Sequence, residues 1–240
     1  SAPATVRVAA PASVPASPGS AAVLAPPFDP LADWPALAAD EAAALRELAG
    51  IWGVALPPGA GCAQAPAQGL ACWRHRAATL PLLAQLDRPV LLAVVDAHGR
   101  SAHARLVALR PAAVVLAAGG RQWTLPLARL GTLWRGEVLT VWRLPEHLHP
   151  ALASATAGLA PGASGPAVAA LQQVLARARG APVSTLPDDT AEVRYDAALR
   201  QQVAAFQVGA GLNPDGLAGP TTFMQLNRAL AVDEPRLARE

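Results

Sequence analysis

The spacing of apolar residues changes period twice along the chain, dividing it into a helical entry, a strand-rich middle and a helical end. In the entry, Asp40 precedes Glu41 to Ala49, which carries Leu45 and Leu48 on one face and meets Gly50. This spacing predicts a capped helix with a glycine stop. Thr79 to Leu86 predicts a second, short helix, with Thr79 as N-cap and Pro81 tolerated in its first turn. From Pro89 the period shortens. Val90 to Val95 is a continuous apolar run, which reads as a buried strand. His103 to Leu109, Ala113 to Ala117, Arg121 to Leu125 and Glu137 to Arg143 read as further strands, and Pro126 to Leu130 as a helical turn. The turn signals His98-Gly99, Arg110-Pro111 and Gly119-Gly120 are spaced for hairpins, so the strands are expected to pair antiparallel in an α+β domain.

Beyond a stretch rich in Ala, Gly and Pro, residues 150–165, the period lengthens again. Pro166 to Ala178 carries Val168, Leu171, Val174 and Leu175 at helical spacing. Asp196 to Val208 carries Leu199, Val203 and Phe206, and Gly219 to Leu230 carries Phe223, Leu226 and Leu230. None of these short amphipathic segments can bury its stripe alone, so a small bundle is expected. Ser1 to Pro27 is an Ala/Pro/Ser segment that reads as a semi-stiff, solvated linker. The expected organisation is a disordered linker at 1–27, an α+β domain at 28–149, a linker at 150–165, a helical domain at 166–232 and a tail at 233–240.

Composition narrows the function classes. The apolar fraction is 52% and the charged fraction 15%, which describes a globular chain. A net charge of +2 is close to neutral and no arginine cluster is dense enough for a strong anionic-polymer site, so a nucleic-acid partner is not expected. No stretch approaches the roughly 18 apolar residues of a membrane helix. Ser1 to Val14 lack the features of a signal peptide, so the chain is expected to be a mature form or a soluble part of something longer.

Few residues suggest chemistry. In an oxidising compartment Cys62 and Cys72 would close a short loop across a Gly/Pro-rich stretch; the alternative is two unrelated thiols. His98, His103, His147 and His149 lack the ligand spacing of a metal site. No glycine-rich phosphate loop and no paired-carboxylate constellation is present, and no cofactor is expected. Trp123, Trp134 and Trp142 lie on or beside strands and are expected in the core.

Three sequence features carry a family likeness: Gly165-Pro166 to Leu171-Gln172, Val203 to Phe206-Gln207, and Gly211-Leu212-Asn213-Pro214-Asp215-Gly216 running to Gly219-Pro220-Thr221. Together they resemble the peptidoglycan-binding type 1 domain. Asp215-Gly216 suits a tight turn, because the aspartate bonds back to the backbone and glycine accepts positive φ. The resemblance implies a groove beside the second helix of the bundle. It makes Tyr195, Arg200, Gln207, Asn213 and Asp215 the candidate ligand-binding residues and peptidoglycan the partner. The chain departs from that family at Leu199, where threonine is common, and in the long insertion from Ala181 to Arg194, which would reshape or cover the groove.

The preceding region resembles the general secretion pathway A (GspA/ExeA) family, whose peptidase C39-like domain precedes a peptidoglycan-binding domain. The resembling residues are Trp52-Gly53, Cys62 to Cys72, Leu86-Asp87-Arg88-Pro89-Val90, Trp123, Leu133-Trp134-Arg135-Gly136 and Val141 to Pro145. The resemblance implies a periplasmic location with a tether to the inner membrane. It also implies a role in secretin assembly through the wall during type II secretion, a GspB-like partner and possible self-association. His103 sits where such a peptidase places its histidine, but that family's thiol opens a helix after a glutamine, and neither Cys62 nor Cys72 does so. The expectation is therefore a non-catalytic segment. The alternatives are a cell-wall cysteine peptidase targeted by its bundle, and a pure assembly scaffold.

Overall fold

The computed structural model describes residues 25–147, 149–152, 157–181 and 193–238. Residues 1–24 of the expected linker at 1–27, residue 148, residues 153–156 of the expected linker at 150–165, most of the insertion before Tyr195 and the last two residues lie outside that range. Six strands form one antiparallel sheet: β1 (Leu70–His75), β2 (Val90–Val95), β3 (Ser101–Leu109), β4 (Ala113–Ala118), β5 (Arg121–Pro126) and β6 (Trp134–Arg143). Their order is β1-β6-β2-β3-β4-β5. Three hairpins account for β2 through β5, while β6 returns to insert between β1 and β2. Among the described residues six α-helices accompany the sheet: α1 (Glu41–Ile51), α2 (Leu80–Leu86), α3 (Leu127–Leu133), α4 (Pro166–Ala178), α5 (Ala197–Gly209) and α6 (Pro220–Ala229). None of the described helices is long and apolar enough to cross a membrane.

Both N-caps read from the sequence are in place, but the stop expected at Gly50 is not: α1 runs through it to Ile51, because Ile51 and Trp52 still pack on the core, and the left-handed glycine after the helix is Gly53, at φ 71°. The Asp40 carboxylate accepts from the backbone N–H of Ala42 and Ala43 at 3.2 and 3.1 Å, and Thr79 Oγ1 accepts from Leu82 N at 3.4 Å. The helical turn expected from Pro126 to Leu130 runs on to Leu133, and β6 then starts at Trp134 rather than Glu137. Gly136 lies at φ 93°, and a Cβ there would stand 3.1 Å from Ala78 O, so only glycine lets β6 pass the segment before α2.

β1 is absent from the apolar pattern. Leu70-Ala71-Cys72-Trp73-Arg74-His75 has no alternation of its own and becomes a strand by pairing with β6, Leu70 opposite Arg143 and His75 opposite Val138. Its Cys72 is joined to Cys62, with Cα atoms 5.6 Å apart. The bridge ties a Pro-rich loop to the edge of the sheet. Replacing both cysteines by serine releases a loop spanning a sequence separation of 10, and chain entropy predicts a loss of about 2–3 kcal/mol. Urea unfolding of the two forms measures this; equal midpoints would show that the loop is held by packing alone.

Both faces of the sheet are covered, which is why β2 reads as an unbroken apolar run. Leu91, Leu139 and Val141 face α1, where Leu45, Leu48 and Trp52 are buried. Val90, Leu92, Val94, Leu106, Leu116 and Trp123 form the opposite core with Leu83, Leu130 and Leu133. The bundle of α4, α5 and α6 has a core of its own, and that core does not stop at the bundle. Leu86, Trp142 and Leu144 of the sheet domain join Val168, Leu171, Val203, Phe223 and Leu226 in one cluster. Trp142 stacks parallel to Phe223 with ring centroids 6.1 Å apart. All three tryptophans expected in the core, Trp123, Trp134 and Trp142, are buried.

The connecting segments also pack. Leu152 is fully buried in the bundle cluster, and Leu159 pairs with Ala218. After α6 the chain folds back over the sheet domain: Leu237 enters its core, Ala238 N donates to Val107 O at 2.9 Å, and Glu234 is buried against Arg88. At the other end, the Thr124 N–H of β5 donates to Pro26 O at 2.7 Å.

Candidate functional site

The residues singled out from the sequence divide between those that build the loop before α6 and those that present themselves to a ligand. Gln207, near the end of α5, is buried. Its Nε2 lies 2.8 Å from Asp215 Oδ1, 2.9 Å from Leu217 O and 3.1 Å from Thr222 Oγ1, and its Oε1 accepts from Gly216 N at 2.8 Å. The amide is therefore spent as a staple for the loop, the bridging role its polar group would need in a buried place. Tyr195 is likewise buried, with its hydroxyl donating to Gly216 O at 2.9 Å. Burial pushes its phenol up to about 12, which keeps it a neutral donor at physiological pH. Arg200 is exposed on α5 and lies across Gly216, where a Cβ would fall 2.6 Å from Arg200 Cγ. Gly216 sits at φ 69°, as the Asp-Gly turn requires.

Asn213 and Asp215 are different: both are exposed on the loop and line a cleft of about 460 Å³. Asp215 also accepts from Leu217 N at 2.8 Å, which orients its carboxylate. One wall of the cleft is made by the bundle: residues 157–160, Gln207, Leu212, Asn213, Asp215, Leu217 and residues 219–221. The other wall comes from the sheet domain: Trp73, His75, Leu82 and Gln85. Tyr195 and Arg200 do not line it. Sequence reasoning missed the second wall, because β1 was not recognised as a strand. Once it is one, the i, i+2 spacing of Trp73 and His75 places both on the same face.

The peptidase-like region has its own arrangement. His103, on β3, has Nδ1 3.4 Å from Ala38 O and Nε2 3.9 Å from a Glu41 oxygen. Glu41 is the first residue of α1, so the helix that opens beside this histidine carries a carboxylate there. The Arg74 guanidinium, with Nη1 2.8 Å from Glu41, holds that carboxyl below the usual range. Both cysteines of the chain are in the disulfide and no thiol is free. Cys72, on β1, is three strand spacings from His103 on β3, about 14 Å across the sheet. A thiolate–imidazole pair needs hydrogen-bond reach, and this geometry does not provide it.

Among the described residues no group of three or more His, Cys, Asp or Glu could hold a metal ion. His149 Nδ1 accepts from Ala151 N at 3.2 Å, and the side chain of His147 lies outside the described residues.

Comparison with known proteins matches these two units separately. Residues 36–144 match the GspA peptidase C39-like domain, and residues 164–226 match the putative peptidoglycan binding domain. General secretion pathway protein A of Aeromonas hydrophila is 31% identical over 198 residues, covering 82% of this chain. The chain spans 34% of that relative's length. The solved periplasmic domain of the EpsAB fusion protein of the Vibrio vulnificus type II secretion system is similar with a TM-score of 0.50 and 26% identity, over 83% of each chain. With both domains matched in this order, and a relative aligned across 82% of this chain, the chain belongs to the general secretion pathway protein A (GspA) family.

Proposed function

We propose that this chain is a non-catalytic, peptidoglycan-binding segment of a type II secretion accessory protein. It acts in the periplasm, tethered to the inner membrane, where it helps a secretin assemble through the cell wall. The observation that carries the reading is the pairing of a peptidoglycan-binding domain with a peptidase-like domain whose histidine faces Glu41 rather than a thiol. Catalysis by a cysteine peptidase needs a nucleophile beside its base. Here the anion beside His103 is already paired with Arg74.

The relatives support the setting: one is named for the general secretion pathway, the other for a type II secretion system. The description of EpsAB as a fusion supports a GspB-like partner for this chain. Several copies around one secretin would raise weak single-site affinity for the wall through multivalency.

Co-sedimentation of the whole chain with purified sacculi tests this. The protein is expected in the pellet with sacculi, in the supernatant with cellulose, and without releasing stem-peptide fragments from the wall. Failure to pellet overturns wall binding and leaves the pure assembly scaffold. Fragment release restores the targeted peptidase. The whole chain is the right sample because a truncation near residue 150 would uncover Trp142 and strip Arg88 of its Glu234 partner.

A further inference from the structure

We propose that the glycan site is composite: Trp73 and His75 of the sheet domain form an aromatic shelf on which a sugar ring of the peptidoglycan strand stacks, opposite Asn213 and Asp215 of the bundle. The proposal rests on the wall-binding reading above and adds to it which surface is used and which part of the polymer is held.

Three observations carry it. The chain has six tryptophans, and five of them, Trp34, Trp52, Trp123, Trp134 and Trp142, are buried, while Trp73 is left partly open. Trp73 and His75 stack with ring centroids 5.2 Å apart and planes within 5°. His75 thus backs the Trp73 ring at the sheet's β1 edge, and both residues line the cleft of about 460 Å³. Across that cleft stand an exposed amide and an exposed carboxylate, Asn213 and Asp215.

An apolar aromatic face opposed by donors and acceptors suits a sugar. The C–H face of the ring lies on the aromatic surface, and hydroxyl and N-acetyl groups meet the polar wall. The volume falls within the range of small-ligand pockets. A stem peptide has no comparable flat apolar face to offer the shelf.

The two walls are held in place before any ligand arrives. Gln85 Nε2 donates to Ala210 O at 3.0 Å, and Gln225 Nε2 donates to Gln85 O at 2.9 Å, so α2 is bonded to both the end of α5 and α6. A cleft whose walls are fixed beforehand loses less entropy on binding. The same cleft on an isolated bundle would lack one side.

The test uses the whole chain and the peptide-free disaccharide N-acetylglucosaminyl-N-acetylmuramic acid. Acrylamide quenches exposed indoles, and Trp73 is the one left open, so the disaccharide is expected to protect the quenchable emission. Trp73→Ala should weaken disaccharide binding and sacculus co-sedimentation about 3- to 10-fold, the worth of one aromatic stacking contact, with Trp73→Phe retaining most of it. Thermal unfolding of each variant reports folding, and His75→Ala, removing the back of the shelf, gives a second reading if Trp73→Ala is unstable. If Asn213→Ala releases the protein from sacculi while folded Trp73→Ala does not, the composite site is overturned and wall binding stands. Protection by free stem peptide but not by disaccharide overturns the sugar assignment. Wild-type protein that ignores sacculi altogether overturns the wall-binding reading itself.

Discussion

Glu234→Ala is expected to destabilise the protein by about 3–5 kcal/mol, although the residue lies outside both matched domains. Its side chain and that of Arg88 are each only 2% exposed, with Arg88 Nη2 3.0 Å from Glu234 Oε2. Burial pulls the Arg88 guanidinium below its ordinary value, and Glu234 acts against that pull. The carboxylate has further partners: Oε1 accepts from Arg143 N at 2.7 Å and from Asn227 Nδ2 at 3.2 Å. One side chain thereby holds the start of β2, the end of β6 and α6 together. Removing it leaves a buried cation without its counter-charge and the half-buried Arg143 N–H without its acceptor, which costs more than the net value of the pair. Urea unfolding measures the effect. A loss below about 1 kcal/mol would mean that water reaches Arg88 in the native state. Arg88→Leu/Glu234→Leu, which removes both charges, should recover most of the stability.

Trp142→Ala should cost a similar amount, about 3–5 kcal/mol for a buried aromatic, and should also change the form of the transition. The ring is fully buried in the cluster shared by sheet and bundle, stacked on Phe223. While that cluster is intact, neither unit can unfold without exposing the other, so the wild type should show one calorimetric transition. The cavity left by alanine loosens this link, and the bundle, with the smaller core, should melt separately and first. Trp142→Phe keeps the stack and should preserve the single transition. Two transitions already in the wild type would show that the shared core does not couple the units.

The elements that were legible in the sequence are those whose burial pattern is written locally. β2 matches its apolar run, Val90 to Val95, and α4 matches Pro166 to Ala178, because each buries residues at the period of its own backbone. β1 was not legible, since its pairing partner lies about 70 residues away and its own sequence does not alternate. The same gap hid half of the cleft. Of the residues suggested by family likeness, Asn213, Asp215 and Gln207 line it, but the amide of Gln207, like the buried Tyr195 hydroxyl, is satisfied inside the loop by Gly216, Asp215, Leu217 and Thr222. A motif marks both kinds of residue alike. Only their hydrogen-bond partners tell support from contact.

By itself the sequence determined the two units, the α+β class of the first, the bundle of the second and the pairing of Cys62 with Cys72 as one of two readings, because caps, turn residues and periodicity act over a few residues. The tertiary structure alone decided how the units join. It placed Glu41 beside His103, set Trp73 and His75 opposite Asn213 and Asp215, and brought Glu234 back to Arg88. Those meetings link residues far apart in the chain: the packing of α1 on the sheet selects the first, and the burial of Trp142, Leu86 and Leu144 against the bundle selects the other two, gains that exist only when both surfaces are already formed.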